Sequence, residues 1–239
     1  MTKISSAPPA KNELLAALPQ REFKRILPDL EPVALRMKEV LYEAFQSIQY
    51  VYFPESGLIT KVVTTEDGDS AEVGMTGKEG MAGICCYLRS GTSPFKALVQ
   101  IPGEARRIKA AVFQASVKGN EAWTDLLHNY THTFLSMVSQ SAACNLLHNV
   151  EKRFCRSLLM AHDRIDSDEF SLTQESLSLM LGVRRQSISE VANRLSRKKL
   201  IRYRWGQLTI LDRQGLEALA CGCYRLIKQN FRFPSSVRG

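Results

Sequence analysis

Arg184, Arg185, Gln186, Ser189 and Glu190 fall within seven residues of one another. Their functional groups match the edges of DNA bases. Arginine reaches guanine O6 and N7, glutamine pairs with adenine, and glutamate accepts from cytosine N4. Thr173, Gln174, Ser187, Lys198, Lys199, Arg202 and Arg204 suit phosphate oxygens, contacts that position a protein on a duplex without specifying sequence. The second reactive set is the cysteines: Cys85, Cys86, Cys144, Cys155, Cys221 and Cys223. No pair has CxxC spacing, and His128, His132, His148 and His162 do not complete a zinc motif. Reduced thiols are therefore expected, with no metal and no cofactor.

Base-reading side chains need one rigid element to present them together. Residues Leu172 to Leu195 supply the pattern for it. Thr173 can cap a helix that buries Leu177 and Leu181, and small Ser178 allows a close crossing. Gly182 takes the turn, where a positive φ is cheap for glycine, and Val183 plugs it. Ile188, Val191 and Leu195 bury a second helix. That spacing predicts a helix-turn-helix. With those three side chains inward, Arg184, Arg185, Gln186, Ser189 and Glu190 point outward on the half of the helix that enters a major groove. Two short alternating strands around Trp205-Gly206 follow, so the motif is expected to be winged. Asp212 should cap one final helix through about Gln229. On a continuous helix Cys221 and Cys223 would not face each other.

The preceding segments differ in period. Runs such as VLYEA, QYVYF, GLITKVVTT, SAEVGM and KALVQI, separated by Pro- and Gly-containing turns, predict an antiparallel β-roll over roughly residues 33–110. A helix should start after Asn120 and run to about residue 149. Within it Leu127, Tyr130, Phe134, Met137, Ser141, Cys144 and His148 repeat every three or four residues, a 3.5-residue seam. The seam fits a homodimer contact, or else packing on the chain's own sandwich. Another amphipathic helix is expected over 151–165. The fold class is thus α+β: a tail (1–10), a β-roll sensor domain (11–120), a dimerisation helix (121–149), a winged helix-turn-helix (150–225) and a C-terminal tail (226–239).

Composition agrees with this division. Residues 1–149 hold 15 Lys+Arg and 15 Asp+Glu, and residues 150–239 hold 17 and 9, so the net +8 lies wholly in the last 90 residues. A neutral module joined to one that binds a polyanion is the simplest reading. The 44 % apolar and 23 % charged content excludes rods and wholesale disorder. No apolar run approaches a membrane span, and the first residues lack a secretory h-region, so a cytoplasmic location is expected. Metal-dependent oxygenases also use β-rolls, but need histidine and carboxylate ligands on the strands; residues 33–110 contain no histidine. No nucleophile elbow, P-loop or dinucleotide fingerprint occurs either, so no enzyme is expected.

Taken in order, a β-roll, a long central helix, a connecting helix and a winged helix-turn-helix resemble the bacterial Crp/Fnr superfamily of transcription regulators. The resemblance spans about residues 12–225. It is strongest from SQSAACNLLHNVEKRFCRSLLMAHDR to LTILDRQGLEALACGCY, which looks like one subgroup carrying Cys144, His148, Cys221 and Cys223. It implies a homodimer formed through the long helix, a palindromic operator and contact with RNA polymerase.

Three departures narrow it. Members that bind cyclic AMP carry a Gly-Glu pair and, about ten residues later, an arginine followed by Ser or Thr. Here Gly83 precedes Ile84, and the second site reads Thr92-Ser93-Pro94-Phe95. A buried phosphate without a cation is costly, so cyclic AMP is not expected. No cysteine precedes Cys85 to supply an N-terminal iron–sulfur set, and no histidine precedes His128 to ligate haem. Alternatives are a redox-, haem- or metal-responsive regulator gated at Cys144 and His148 across the dimer, or a β-roll interaction module without specific DNA binding.

Overall fold

Short strands rich in β-branched and aromatic residues close into two facing antiparallel sheets. A computed structural model describes residues 10–230. Helix α1 (Glu13–Ala16) is capped by the Asn12 side chain, which accepts from Leu15 N at 3.0 Å. Helix α2 (Gln20–Ile26) and a 3-10 turn lead into β1 (Glu31–Leu35), β2 (Val40–Tyr42), β3 (Tyr50–Pro54), β4 (Leu58–Thr64), β5 (Ser70–Thr76), β6 (Lys96–Ile101) and β7 (Gly103–Lys109). The sheets have the orders β1-β7-β3 and β2-β6-β4-β5. Between them lies a core that includes Phe53, Ile59, Met81, Val99 and Phe113. Strands β1 and β7 do not stand out in the sequence. Pro32 in β1 and Gly103 and Glu104 in β7 lower their β propensity; the backbone ladders β1–β7 and β3–β7 set the register, and ion pairs Arg106–Glu55 (2.9 Å) and Arg107–Glu31 (3.0 Å) lie across them.

Helix α3 (Ala110–Val117) precedes α4 (Glu121–Leu147), a 27-residue helix whose N-terminus the Asn120 side chain caps. No helix among the described residues is long and apolar enough to cross a membrane.

The seam expected between two copies is instead covered by the same chain. Leu127, Tyr130, Met137 and Cys144 are buried on α4, and Phe134 and Ser141 are partly covered. The Tyr130 hydroxyl donates to Met81 O at 2.8 Å. Its ring lies so close to Gly80 that a Cβ there would collide with it. A 3.5-residue period shows that one face is buried but not by what. The solvent-facing line of α4 is another one: His128, His132, Leu135, Ser139, Ala142 and Leu146, with Leu135 62 % and Leu146 87 % exposed.

Helix α5 (Val150–His162), β8 (Glu169–Ser171), α6 (Gln174–Leu181), α7 (Arg185–Arg197), β9 (Ile201–Arg204) and β10 (Gln207–Ile210) form the C-terminal unit, with the sheet order β8-β10-β9. The single final helix expected there is two. Helix α8 (Arg213–Leu219) ends where Ala220 turns extended, and α9 begins at Cys223 and runs to Asn230. The tail expected from residue 226 therefore starts, at the earliest, after α9. The tail positions 1–9 and 231–239 lie outside the described residues.

Candidate nucleic-acid interface

Thr173 is the N-cap of α6, its Oγ1 accepting from Ser176 N at 3.1 Å. Gly182 ends that helix at φ +60°, a left-handed backbone that other residues adopt at a cost. Helix α7 then leaves at an angle set by Ile188, Val191, Ala192 and Leu195, all buried against α5, α6 and the small sheet. An amphipathic helix with one face so committed must turn the other to solvent. Arg184, Arg185, Gln186 and Glu190 are exposed, while Ser187 and Ser189 are partly so.

These side chains hold one another in an ordered array. Gln186 Nε2 donates to Glu190 Oε1 at 3.2 Å, and Gln174 Nε2 donates to Ser189 Oγ at 3.0 Å. Arg185 lies 4.0 Å from Glu175, whose other oxygen accepts from Lys38 of the β-roll at 2.9 Å. The Lys38 ammonium holds the Glu175 carboxyl below the usual carboxylate range. Such exposed pairs contribute little stability, so the arginine is free to exchange a carboxylate for a base edge or a phosphate.

Residues 152–219 match the Crp-like helix-turn-helix domain family. The C-terminal unit is a Crp-like helix-turn-helix domain. The described residues also share the fold of solved Crp/Fnr regulators over about four-fifths of the chain. FixK2 from Bradyrhizobium japonicum aligns with a TM-score of 0.65 at 17 % identity, over 81 % of this chain and 98 % of its own. A CRP-family transcriptional regulator from Thermus thermophilus aligns at 0.65 and 19 %, over 79 % and 96 %. The c-di-GMP-responsive global regulator CLP from Xanthomonas campestris aligns at 0.63 and 14 %, over 80 % and 99 %. No curated protein matches the chain by sequence.

In the Crp-like domain the wing lies beside α7. Trp205 and Gly206 both have positive φ (49° and 78°), the hairpin geometry that follows strand twist. Arg202 and Arg204 are exposed on β9, and Lys199 is exposed after α7. Lys198 is already engaged: with Arg194 it pairs to Glu151 at the start of α5, at 3.2 and 3.1 Å. Desolvation raises the Glu151 pKa, but hydrogen bonds from the two cations outweigh it and hold the carboxyl below its ordinary range.

Two residues belong to this face that the sequence reading did not single out. Asn193 is exposed one turn beyond Ser189, and Trp205 is 99 % exposed at the wing tip. Both line an open groove with Gln174, Arg185, Ser189 and Tyr203. A four-residue continuation of the outward face would have found Asn193. A tryptophan at a hairpin apex has no core within reach, which was the signal for Trp205.

The domain is tied to the roll by Arg164, which donates to Glu79 at 2.8 Å in a buried pair, and by Lys78–Asp166 at 2.6 Å. Cys144 and His148, expected to face a second copy, face Cys221 and Cys223 of the same chain.

Proposed function

We propose that this chain is a sequence-specific DNA-binding transcriptional regulator that binds a palindromic operator as a homodimer. The observation that carries the reading is the outward face of α7. A Crp-like domain presents Arg184, Arg185, Gln186 and Glu190, four groups able to pair with base edges, on the first half of its second helix. The net +8 of the last 90 residues supplies attraction to phosphates. Lys199, Arg202, Arg204 and Gln174 flank the helix as backbone contacts, and Trp205 reaches past them from the wing.

The homodimer reading rests on the exposed line of α4. Leu135, Ala142 and Leu146 stand on it at coiled-coil spacing beside His128, His132 and Ser139. Two copies joined there would carry their α7 helices as a symmetric pair, suited to half-sites about one DNA turn (~34 Å) apart. Cyclic AMP does not suit the roll. The Ser93 hydroxyl turns inward to Phe95 O at 2.8 Å, and no arginine stands at Thr92 to Phe95.

Selection from random duplexes with reduced full-length protein tests the reading. Enrichment of a palindrome with half-sites one turn apart is expected. Arg185→Ala should then cost ~1–3 kcal/mol at the operator and relax one base pair, whereas Lys199→Ala should weaken all sequences alike. Salt-sensitive binding with no enriched sequence would leave an interaction module as the better account.

A further inference from the structure

Cys144, His148, Cys221 and Cys223 come from three segments and converge at the junction of α4, α5 and α9. Their ligand atoms all lie within 4.8 Å of one another. The Sγ atoms of Cys144 and Cys221 are 3.4 Å apart, and Cys223 Sγ is 3.6 Å from His148 Nδ1. A tetrahedral ion with metal–sulfur bonds of about 2.3 Å and a metal–nitrogen bond of about 2.0 Å requires separations of roughly 3.5–3.8 Å. These two pairs already stand near that spacing. The break between α8 and α9 makes this possible, because it frees Cys221 from the helix and turns both sulfurs inward.

The surroundings are those of an anionic centre. Arg153 and Arg156 are buried, with 9 % and 4 % exposure, and neither forms a salt bridge among the described residues. Arg153 donates to Leu181 O and Arg156 to Ser141 Oγ, but the Nε of each has no partner. Both guanidinium groups interact electrostatically with Cys144. Two buried cations without a salt bridge carry a desolvation cost, which for Arg156 the Glu72 carboxyl offsets only at a distance. Three thiolates around a divalent ion leave one negative charge, which would offset part of it. Gln140 Nε2 donates to Cys223 Sγ at 3.1 Å, the kind of outer contact that orients a ligating sulfur.

We propose that these four residues bind one thiophilic divalent transition-metal ion, of the zinc class, in a closed Cys3His site within a single chain. Soft thiolates with one imidazole select for that class over calcium or magnesium. Binding releases the thiol protons. The ion joins the end of α4 to the α8–α9 connection across the hinge at His148, and so clamps the Crp-like domain to the central helix. The site stands apart from the DNA-binding reading, since its test uses no DNA.

The experiment is metal analysis of full-length protein purified anaerobically, followed by cobalt(II) titration of the stripped, reduced protein. The expected result is one equivalent per chain, with the visible d–d bands and thiolate charge-transfer of a tetrahedral thiolate site. Cys221→Ser and Cys144→Ser should lose those bands, Cys85→Ser should retain them, and Arg156→Met should weaken binding about 10-fold, as removal of an outer-shell partner does. Should the variants not fold, the wild-type titration decides alone. No tetrahedral cobalt spectrum with all thiols reduced would overturn the proposal. So would equal loss in Cys85→Ser, or a Cys144–Cys221 disulfide in protein kept from oxygen.

Discussion

Two buried polar clusters flank α4, and they are built differently. Under its N-terminal half, against the roll, the polar side chains hydrogen-bond to one another, with buried Lys61 held by a hydroxyl and not by a carboxylate. Lys61 donates to Thr76, Thr76 and the Tyr130 hydroxyl lie 3.2 Å apart, and Thr60 donates to Glu72 at 2.5 Å. Arg164 pairs with Glu79, which also accepts from Gly77 N. At the C-terminal end of α4, Arg153 and Arg156 are buried beside three thiols and one imidazole and form no salt bridge among the described residues, although the charge of Arg156 reaches the Glu72 carboxyl. Low dielectric strengthens a completed network and penalises an incomplete one. The first cluster is therefore a structural joint, hydrogen-bonded within the chain. The second is completed by something that turns thiols into thiolates.

The largest effect should come from breaking the first cluster. Arg164→Met strands the Glu79 carboxylate in a buried site, which should cost ~3–5 kcal/mol. For a chain of this size that lowers Tm by roughly 10–15 °C in a thermal melt. The incomplete cluster predicts a comparable loss on chelation under reducing conditions. An ion present at ~1,000 times its Kd contributes ~4 kcal/mol, so a melt with and without chelator should differ by about 10 °C, and the Cys221→Ser variant should show no such difference.

Lys61 tests the cost of burial within the first cluster. Desolvation pulls its pKa from 10.5 down to about 7. As pH falls from 10.5 towards 7 the unfolded chain takes up a proton that the folded chain excludes, so the folded state loses stability across that window. Lys61→Met removes this dependence. It should be more stable than wild type by on the order of 4 kcal/mol at pH 7, with the difference closing by about pH 10.5. Urea melts at the two pH values check it; an unchanged gap would mean that the amine is charged and paired inside the roll.

The smallest effect discriminates most sharply because its sign changes. Arg156→Met should stabilise the metal-free protein by on the order of 1 kcal/mol, by removing a buried cation that forms no salt bridge. It should destabilise the loaded protein, by removing a counter-charge. Chemical denaturation of stripped and zinc-loaded protein reads both signs.

Local spacing made part of the molecule legible. Thr173, Gly182 and the Ile188, Val191, Leu195 stripe lie close together in the chain, and cap, turn and buried face are each decided by near neighbours. The helix-turn-helix and the solvent-facing side of α7 follow from them. The same holds for the strands with alternating Val, Ile and Tyr, and for Asn120 and Asp212 as caps. Strands β1 and β7 were not legible, since backbone pairing across more than fifty residues holds segments that propensity disfavours. Nor was the side of α4 that meets the roll distinguishable from one that would meet another copy.

The cysteines mark the limit most clearly. Sequence alone could say that Cys144 and His148 share one side of a helix, since four residues make about one turn. It placed Cys221 and Cys223 two apart on one helix, not facing each other, where the fold in fact interrupts that helix. Composition and period determined the domain order, the basic C-terminal unit and the outward face of α7, because those depend on residues a few positions apart. The tertiary structure alone decided what covers α4 and what gathers at its end, because Cys144 and Cys221 are separated by 77 residues and meet only once α9 has folded back onto the central helix.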